Sequence, residues 1–231
     1  MIAFIESIKQ LDQSIFLFFN GMHNSFWDAV MTLFTQTGTW AAFYLTIVFF
    51  IIRKYRMKAI VILVLLAMIV LISDQFSVLI KETVKRFRPS HEPAIQDLVH
   101  FVNRRGGLYG FFSSHATNTF AVAMFTAQLF KNVRYQILIF FWAVLVCYTR
   151  IYLGVHYPLD LLTGAVVGIL IGHFIYKLLL LIENHFLLLK IPKLHETGLS
   201  NQESLIIILI FLIFVTTVLI STNQLIHAQL L

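Results

Sequence analysis

Apolar runs of about twenty residues, separated by short polar breaks, set the pattern of this chain. The runs cover roughly 36–53, 58–80, 114–131, 134–153, 158–186 and 203–222. A hydrocarbon core of ~30 Å takes about 20 apolar residues as a helix, so about six transmembrane helices are expected. The start of the first is the least defined, because Thr35 to Thr39 is polar. Ahead of it, Ile5, Ile8, Leu11, Ile15 and Phe19 recur at helical spacing, while Glu6, Lys9, Asp12 and Gln13 interrupt the apolar character. That pattern predicts an N-terminal amphipathic helix lying along the membrane surface rather than crossing it. The same stretch lacks a basic n-region and a small-residue cleavage site, so a cleaved signal peptide is not expected. Phe87 to Phe112 is the longest connection, 26 residues with two prolines and three glycines, and reads as a loop with little regular structure.

The expected fold class is therefore all-α: a polytopic membrane helical bundle forming a single domain over 1–231, with its chemistry between 81 and 160. Neither an internal repeat nor a low-complexity tract divides it. Gly164, Gly168 and Gly172 recur four apart on one helix face, a spacing that lets a neighbouring helix approach closely.

Composition agrees with this class. Hydrophobic residues make up 59% of the 231 and charged residues 12%, with a mean hydropathy of +0.84. A soluble domain of that length could not cover itself with so little polar surface. The net charge is +6, but the positive residues cluster between apolar runs instead of forming a nucleic-acid patch. No nucleic-acid partner is expected; topology and an anionic ligand are. The single cysteine, Cys147, lies inside an apolar run and cannot form an intrachain disulfide.

Arg53, Lys54, Arg56 and Lys58 fill one inter-span connection, Lys131 and Arg134 a second, Lys190 and Lys193 a third. The positive-inside rule makes these three cytoplasmic. The opposite, periplasmic or extracellular side then carries the 87–112 loop, the 150–160 turn and both termini. The expected location is the cell (inner) membrane. Arg88, Arg104, Arg105 and Arg150 also fall on the outer side, where their charge is assigned to a ligand.

Three stretches on that side carry candidate chemistry. In KETVKRFRP, residues 81–89, continuation of the second span would place Lys81 and Arg88 seven apart on one face with Lys85 between them, until Pro89 stops the helix. A face of like charges favours an anion, either a ligand or the surrounding anionic lipid. In FFSSHATN, residues 111–118, Ser113 or Ser114 is a good N-cap, and the helix N-terminus behind it makes an anion site. His115 lies in that first turn, with Asn118 and Thr119 following toward the bundle interior. In TRIYLGVHYPLD, residues 149–160, Pro158 suits a first helical position and Asp160 lies one turn in, within reach of His156. A carboxylate so placed fixes an imidazole tautomer and stabilises the ring as it becomes positive. Arg150 adds a planar fork suited to phosphate oxygens. An Arg150–Asp160 salt bridge capping the bundle is the plainer reading of the third stretch. Convergence of all three on one side favours a single site. Fixed cations there suit a phosphate dianion and would repel a divalent metal, so no metal and no cofactor are expected.

These stretches, in this order, resemble the type 2 phosphatidic acid phosphatase (PAP2) family, whose signatures are K-x6-R-P, P-S-G-H and S-R-x5-H-x3-D. Lys81 to Pro89 matches the first signature. Arg150, His156 and Asp160 match the third, with Thr149 for serine. In the second, Ser113 and His115 match, while Phe112 replaces proline and Ser114 replaces glycine. The resemblance implies that His156 attacks phosphorus to form a phosphohistidine, Asp160 orients it, and His115 protonates the leaving oxygen and then helps activate water. It also implies that Lys81, Arg88, Arg150 and Ser113 hold phosphate oxygens, with the backbone N–H of Ser114 in the glycine's place. Neutral His156 and protonated His115 together predict a bell-shaped pH profile.

The expected function is hydrolysis of a phosphate or diphosphate from a membrane lipid at the non-cytoplasmic leaflet. Undecaprenyl diphosphate is the first choice of substrate, with lipid A, phosphatidylglycerol phosphate and phosphatidic acid next. A non-catalytic anionic-lipid transporter or binding protein would need the cations without the histidine–aspartate pair. A vanadate haloperoxidase would share the pocket, but such proteins are soluble.

Overall fold

The computed structural model describes residues 2–102, 105–185 and 193–228; Arg104 and Lys190, both used in the charge reading, lie outside them. Eight α-helices occur among the described residues: α1 (Ile2–Asn20), α2 (Ser25–Thr35), α3 (Ala41–Tyr55), α4 (Lys58–Val84), α5 (Ser114–Phe130), α6 (Val133–Tyr152), α7 (Pro158–His185) and α8 (Asn201–His227). No strand is present among them, so the fold is an all-α polytopic bundle.

Helices α4, α6, α7 and α8 are each long and apolar enough to span a bilayer. A fifth candidate is the pair formed by α2 and the Thr37–Tyr55 segment, bent by 74°. The polar Thr35–Thr39 stretch that blurs the start of the first span is this bend, and the 3₁₀ turn Thr37–Trp40 fills it. Helix α5, at 17 residues, is shorter than the others and sits at the centre, with Ala121, Ala123, Phe125 and Phe130 fully buried.

Helix α5 packs most extensively on α7, and the glycine stripe explains how. A Cβ at Gly164 would come 2.7 Å from the Ser113 carbonyl oxygen, one at Gly168 2.4 Å from that of Thr117, and one at Gly172 2.3 Å from that of Ala121. The two backbones are so close that only hydrogen fits between them. Away from this seam, an aromatic group of Trp40, Phe43, Trp142 and Phe211 fills the space between α3, α6 and α8. At the end of the bundle remote from the three signatures, Lys58 pairs with Glu183, and Lys54 with Glu203 at 2.6 Å.

Helix ends follow local chemistry. Asn132 caps α6, Ser200 and Glu203 form a reciprocal capping box on α8, and Pro158 opens α7. The end of α4 differs from expectation. The helix stops at Val84, where Lys85 adopts a left-handed conformation (φ 52°) and points its exposed side chain away. Arg88 therefore does not share a helical face with Lys81. It is extended (φ −69°, ψ 157°), as a residue before proline tends to be. The chain is instead fixed by an antiparallel bridge between Phe87 and Tyr109, with Arg88 N donating to the Leu108 carbonyl at 3.1 Å and Gly110 N to that of Arg86 at 2.9 Å. The described parts of the 87–112 connection are thus irregular but tied to one another near Phe87 and Tyr109, and they include two 3₁₀ turns, Pro89–His91 and Gln96–Leu98.

Helix α1 turns Phe4, Ile5, Ile8, Leu11, Ile15, Phe18 and Phe19 outward. Its opposite face meets α6 and α7 through fully buried Phe16, which packs edge-on against Tyr157. An amphipathic interfacial helix fits this division of faces.

Candidate active site

A cavity of about 580 Å³ opens among α3, α4, α5 and α6. Its polar end is lined by Lys81, Arg88, Ser114, His115, Arg150 and His156, drawn from all three signature stretches. Its deeper walls are apolar, with Tyr44, Ile47, Leu66, Val70, Val122 and Val146.

Each polar group is held by its neighbours. Lys81 Nζ donates to Ser114 Oγ at 2.5 Å and to Ser77 Oγ at 3.3 Å, and Ser77 also bonds Ser114 directly. Arg150 Nη1 donates to Thr35 Oγ1 at 2.6 Å, while its buried Nε has no partner among the described residues. Such a donor is costly in the protein alone and is suited to an anion oxygen. Arg88 is carried in by the Phe87–Tyr109 bridge, its Nε and Nη1 donating to the carbonyls of Tyr109 (3.2 Å) and Val155 (3.1 Å). Gly110 allows this close approach: a Cβ there would lie 3.1 Å from both Arg88 Cγ and Asp160 Oδ2.

The geometry assigns the His156 tautomer. Arg88 Nη1 lies 3.1 Å from His156 Nε2, and a guanidinium can only donate. Nε2 therefore carries the lone pair and Nδ1 the proton. Nδ1 faces Asp160 Oδ2 at 3.4 Å, long for a hydrogen bond but close enough to orient the ring. His156 lies between α6 and α7. Its burial, reinforced by Arg88, Arg150 and Lys81, holds its imidazole well below the ordinary histidine range. The ring is a neutral base aimed at the cationic end of the cavity.

Asp160 is fully buried behind His156 and does not line the cavity. Its Oδ2 accepts from Tyr157 N at 3.1 Å, and its Oδ1 from Arg86 Nη1 at 2.7 Å. The anticipated alternative, an Arg150–Asp160 salt bridge, is not formed. Arg86 takes that place, and its other nitrogen, Nη2, donates to Asp12 Oδ2 on α1 at 2.6 Å.

Ser113 also differs from expectation. Its side chain is fully buried and caps α5 through Ala116 N, so it does not reach the cavity; its own amide donates to the Asp160 carbonyl at 3.1 Å. Ser113 thus sets the helix start, and Ser114 presents a hydroxyl in its stead. The first-turn amides of Ser114 and His115 have no acceptor within the helix, as at any helix N-terminus. Of the basic residues in the long loop, His100 bonds Asp28 at 2.9 Å and stacks on His23, and Arg105 covers the Phe101 ring. Neither they nor His91 line the cavity.

Sequence reasoning misses Arg86, Asp12 and Asp74 as members of the site. Arg86 is one of four basic residues from Lys81 to Arg88, indistinguishable by type. Asp12 does carry a signal: it stands four residues from Ile8 and from Phe16, an acid in an apolar stripe.

An all-α membrane bundle with a buried histidine–aspartate pair and a cluster of cations at a helix N-terminus has the chemistry to bind a phosphate group. The PAP2 superfamily profile matches residues 62–182. A lipid A 4'-phosphatase of Porphyromonas gingivalis is 36% identical over 225 residues, spanning 96% of this chain and 95% of that protein. One from Bacteroides thetaiotaomicron is 41% identical over 168 residues, 71% of this chain and 75% of that protein. The crystal structure of Aquifex aeolicus LpxE has the same fold, with a TM-score of 0.57 at 23% identity, over 72% of this chain and 95% of that one. The chain belongs to the PAP2 superfamily and is a membrane-bound phosphatase acting on phosphoric esters.

Proposed function

We propose that the protein removes a phosphate monoester from a lipid A-type glycolipid at the non-cytoplasmic leaflet of the inner membrane, through a phosphohistidine on His156. The observation that carries the mechanism is the Arg88–His156 contact, which leaves Nε2 unprotonated among cations. Phosphate oxygens would take the guanidinium of Arg88 together with Lys81, Arg150 and the amides of Ser114 and His115. Nε2 would then be free to attack phosphorus. The bond from phosphorus to the lipid oxygen breaks, and His115, which takes up a proton once the phosphate dianion offsets the cations around it, gives that proton to the leaving oxygen. Water next attacks phosphorus as His115 takes a proton back, the P–N bond breaks, and inorganic phosphate leaves. Fixed cations spread around the equatorial oxygens can supply the required charge stabilisation.

Lipid A phosphate replaces undecaprenyl diphosphate as the preferred substrate, since two relatives with substantial coverage are named for lipid A. The cavity supports the same choice. Ser77 and Ser114 join α4 to α5, and one turn deeper on each helix come Asp74 and Asn118, both on the cavity wall. Among the described residues Asn118 Oδ1 is buried without a partner, and the Asp74 carboxylate, which attracts Lys81 across the cavity, forms no hydrogen bond or salt bridge. These acceptors suit the hydroxyl and amide N–H donors of an acylated amino sugar. A polyprenyl chain offers no such donors.

The test is phosphate release by purified protein from lipid A, undecaprenyl diphosphate, phosphatidylglycerol phosphate and phosphatidic acid, alongside a His156→Ala variant. Highest kcat/KM on lipid A with loss of turnover in the variant supports the reading. Preference for undecaprenyl diphosphate, or full turnover by the variant, contradicts it.

A further inference from the structure

We propose that Asp12, on the interfacial helix, is a positioning residue for phosphoryl transfer: by engaging Arg86 it leaves the Asp160 carboxylate charge available to His156. The inference rests on His156 being the nucleophile. Nothing in the three signatures includes α1.

Local charge at the ring is strongly unbalanced. His156 is faced by Lys81 from α4, Arg88 from the long loop, His115 from α5, Arg150 from α6 and Asp160 from α7. One carboxylate therefore stands against several cations, and the ring must still become positively charged as it takes up the phosphoryl group. Behind Asp160, Arg86 lies 2.7 Å from Oδ1. Arg86 alone would cancel the one negative charge that, among the described residues, touches His156. Asp12, with 3% of its surface exposed, contacts the other end of the same guanidinium at 2.6 Å. Arg86 is thereby neutralised from behind. Counting the three side chains together leaves one net negative charge, and Asp160 delivers it to the ring.

Asp12 also fixes geometry. Its Oδ1 accepts from Leu159 N at 2.9 Å, in the first turn of α7 next to Asp160. Eight residues on, Asn20 bonds the carbonyls of His100 and Tyr152 and the amide of His100, each at 2.8 Å. Phe16, between them, packs on Tyr157. Three consecutive inward positions of α1 thus brace the 150–160 turn from outside. The remainder of the helix faces outward or borders an apolar cleft of about 540 Å³ against α6 and α7. Polar bolts rather than broad apolar packing hold this helix. A buried carboxylate at an interfacial position is expensive unless it is paired, and here its pairing serves the site.

The experiment compares Asp12→Asn, the double variant Asp12→Asn/Arg86→Gln, and His156→Ala, with phosphate release from lipid A measured from pH 4 to 9. The amide introduced by Asp12→Asn retains an acceptor for Leu159 N but leaves Arg86 to cancel Asp160. The expected result for Asp12→Asn is a kcat reduced about tenfold, equivalent to one pH unit of electrostatic stabilisation. KM should stay within about twofold, and the acid limb of kcat/KM should move to lower pH. Removing the surplus cation in the double variant should restore the limb and much of kcat. That recovery is readable even if Asp12→Asn alone folds poorly. A purely structural brace predicts the opposite, a double variant worse than the single one with an unmoved limb, and that outcome overturns the inference. Full turnover by His156→Ala would instead overturn the nucleophile assignment itself.

Discussion

Arg86 Nη1 stands 2.7 Å from Asp160 Oδ1, and the carboxylate that faces His156 is thereby tied to a residue outside the expected cation set. Arg86 holds two buried carboxylates at once. Removing it leaves both without their cation, and breaking a buried pair in this way costs about 3–5 kcal/mol. Arg86→Ala should lower the thermal unfolding midpoint in detergent well beyond the effect of Lys85→Ala, whose side chain is exposed. Equal midpoints for the two variants would show that the buried pairing carries little stability.

His156 and His115 line the same cavity but should fail differently. His156→Ala removes the proposed phosphoryl acceptor, so burst-phase phosphoenzyme should vanish along with turnover. His115→Ala leaves the proposed nucleophile and removes the proposed proton donor, with an expected loss of about 10²–10⁴-fold in kcat. A leaving group of low pKa needs less protonation, so an activated aryl phosphate should recover much of the His115→Ala loss and none of the His156→Ala loss. Equal recovery in both variants would reverse the two roles.

The pH dependence carries a definite sign. Burial, Arg88, Arg150 and Lys81 hold the His156 imidazole well below its ordinary range. It therefore keeps its lone pair as pH falls through the normal histidine value, and the acid limb of kcat/KM should lie below about pH 6.5. Stability has the same origin. The unfolded chain binds a proton at this residue near pH 6.5 and the folded chain does not, so its contribution to stability declines as pH drops below about that value, down to the folded pKa. His156→Gln should flatten that part of the stability profile, which unfolding midpoints across pH 4–8 would reveal.

The α5–α7 seam should tolerate no added carbon. A Cβ at Gly168 would lie 2.4 Å from the Thr117 carbonyl oxygen, a backbone atom that cannot swing aside. Gly168→Ala should destabilise by about 1–3 kcal/mol through overpacking. Because Ser113 and Ser114 begin the helix that would shift, kcat should fall as well. Gly38 has open space around its missing Cβ and serves as the control, with Gly38→Ala expected to be near neutral.

Substrate choice should respond to the acceptors below the phosphate end. Replacing Asp74 and Asn118 by leucine should lower the ratio of kcat/KM for lipid A to that for phosphatidic acid by about tenfold, the scale of one or two lost hydrogen bonds. An unchanged ratio would assign the two side chains to hydration of the cavity rather than to sugar recognition.

The hydrophobic pattern alone determined that this is a helical membrane protein, and nearly where its helices lie, because each must match the thickness of a bilayer whatever its neighbours are. The same pattern marked the amphipathic face of α1 and the glycine seam, and the spacing of Lys81, Arg88, His115, Arg150, His156 and Asp160 pointed to the family, since charged residues kept at fixed spacing beside apolar spans must have a compensating use. Local sequence could not decide which charge meets which. Asp160 could have paired with Arg150 or Arg86, and Ser113 or Ser114 could have faced the ligand, because each alternative satisfies the same local rules. Those choices depend on where α1 docks, on the left-handed turn at Lys85 and on the bridge between Phe87 and Tyr109. Only the tertiary structure sets these, for the Coulomb energy that separates one partner from another depends on distances between segments remote in the chain.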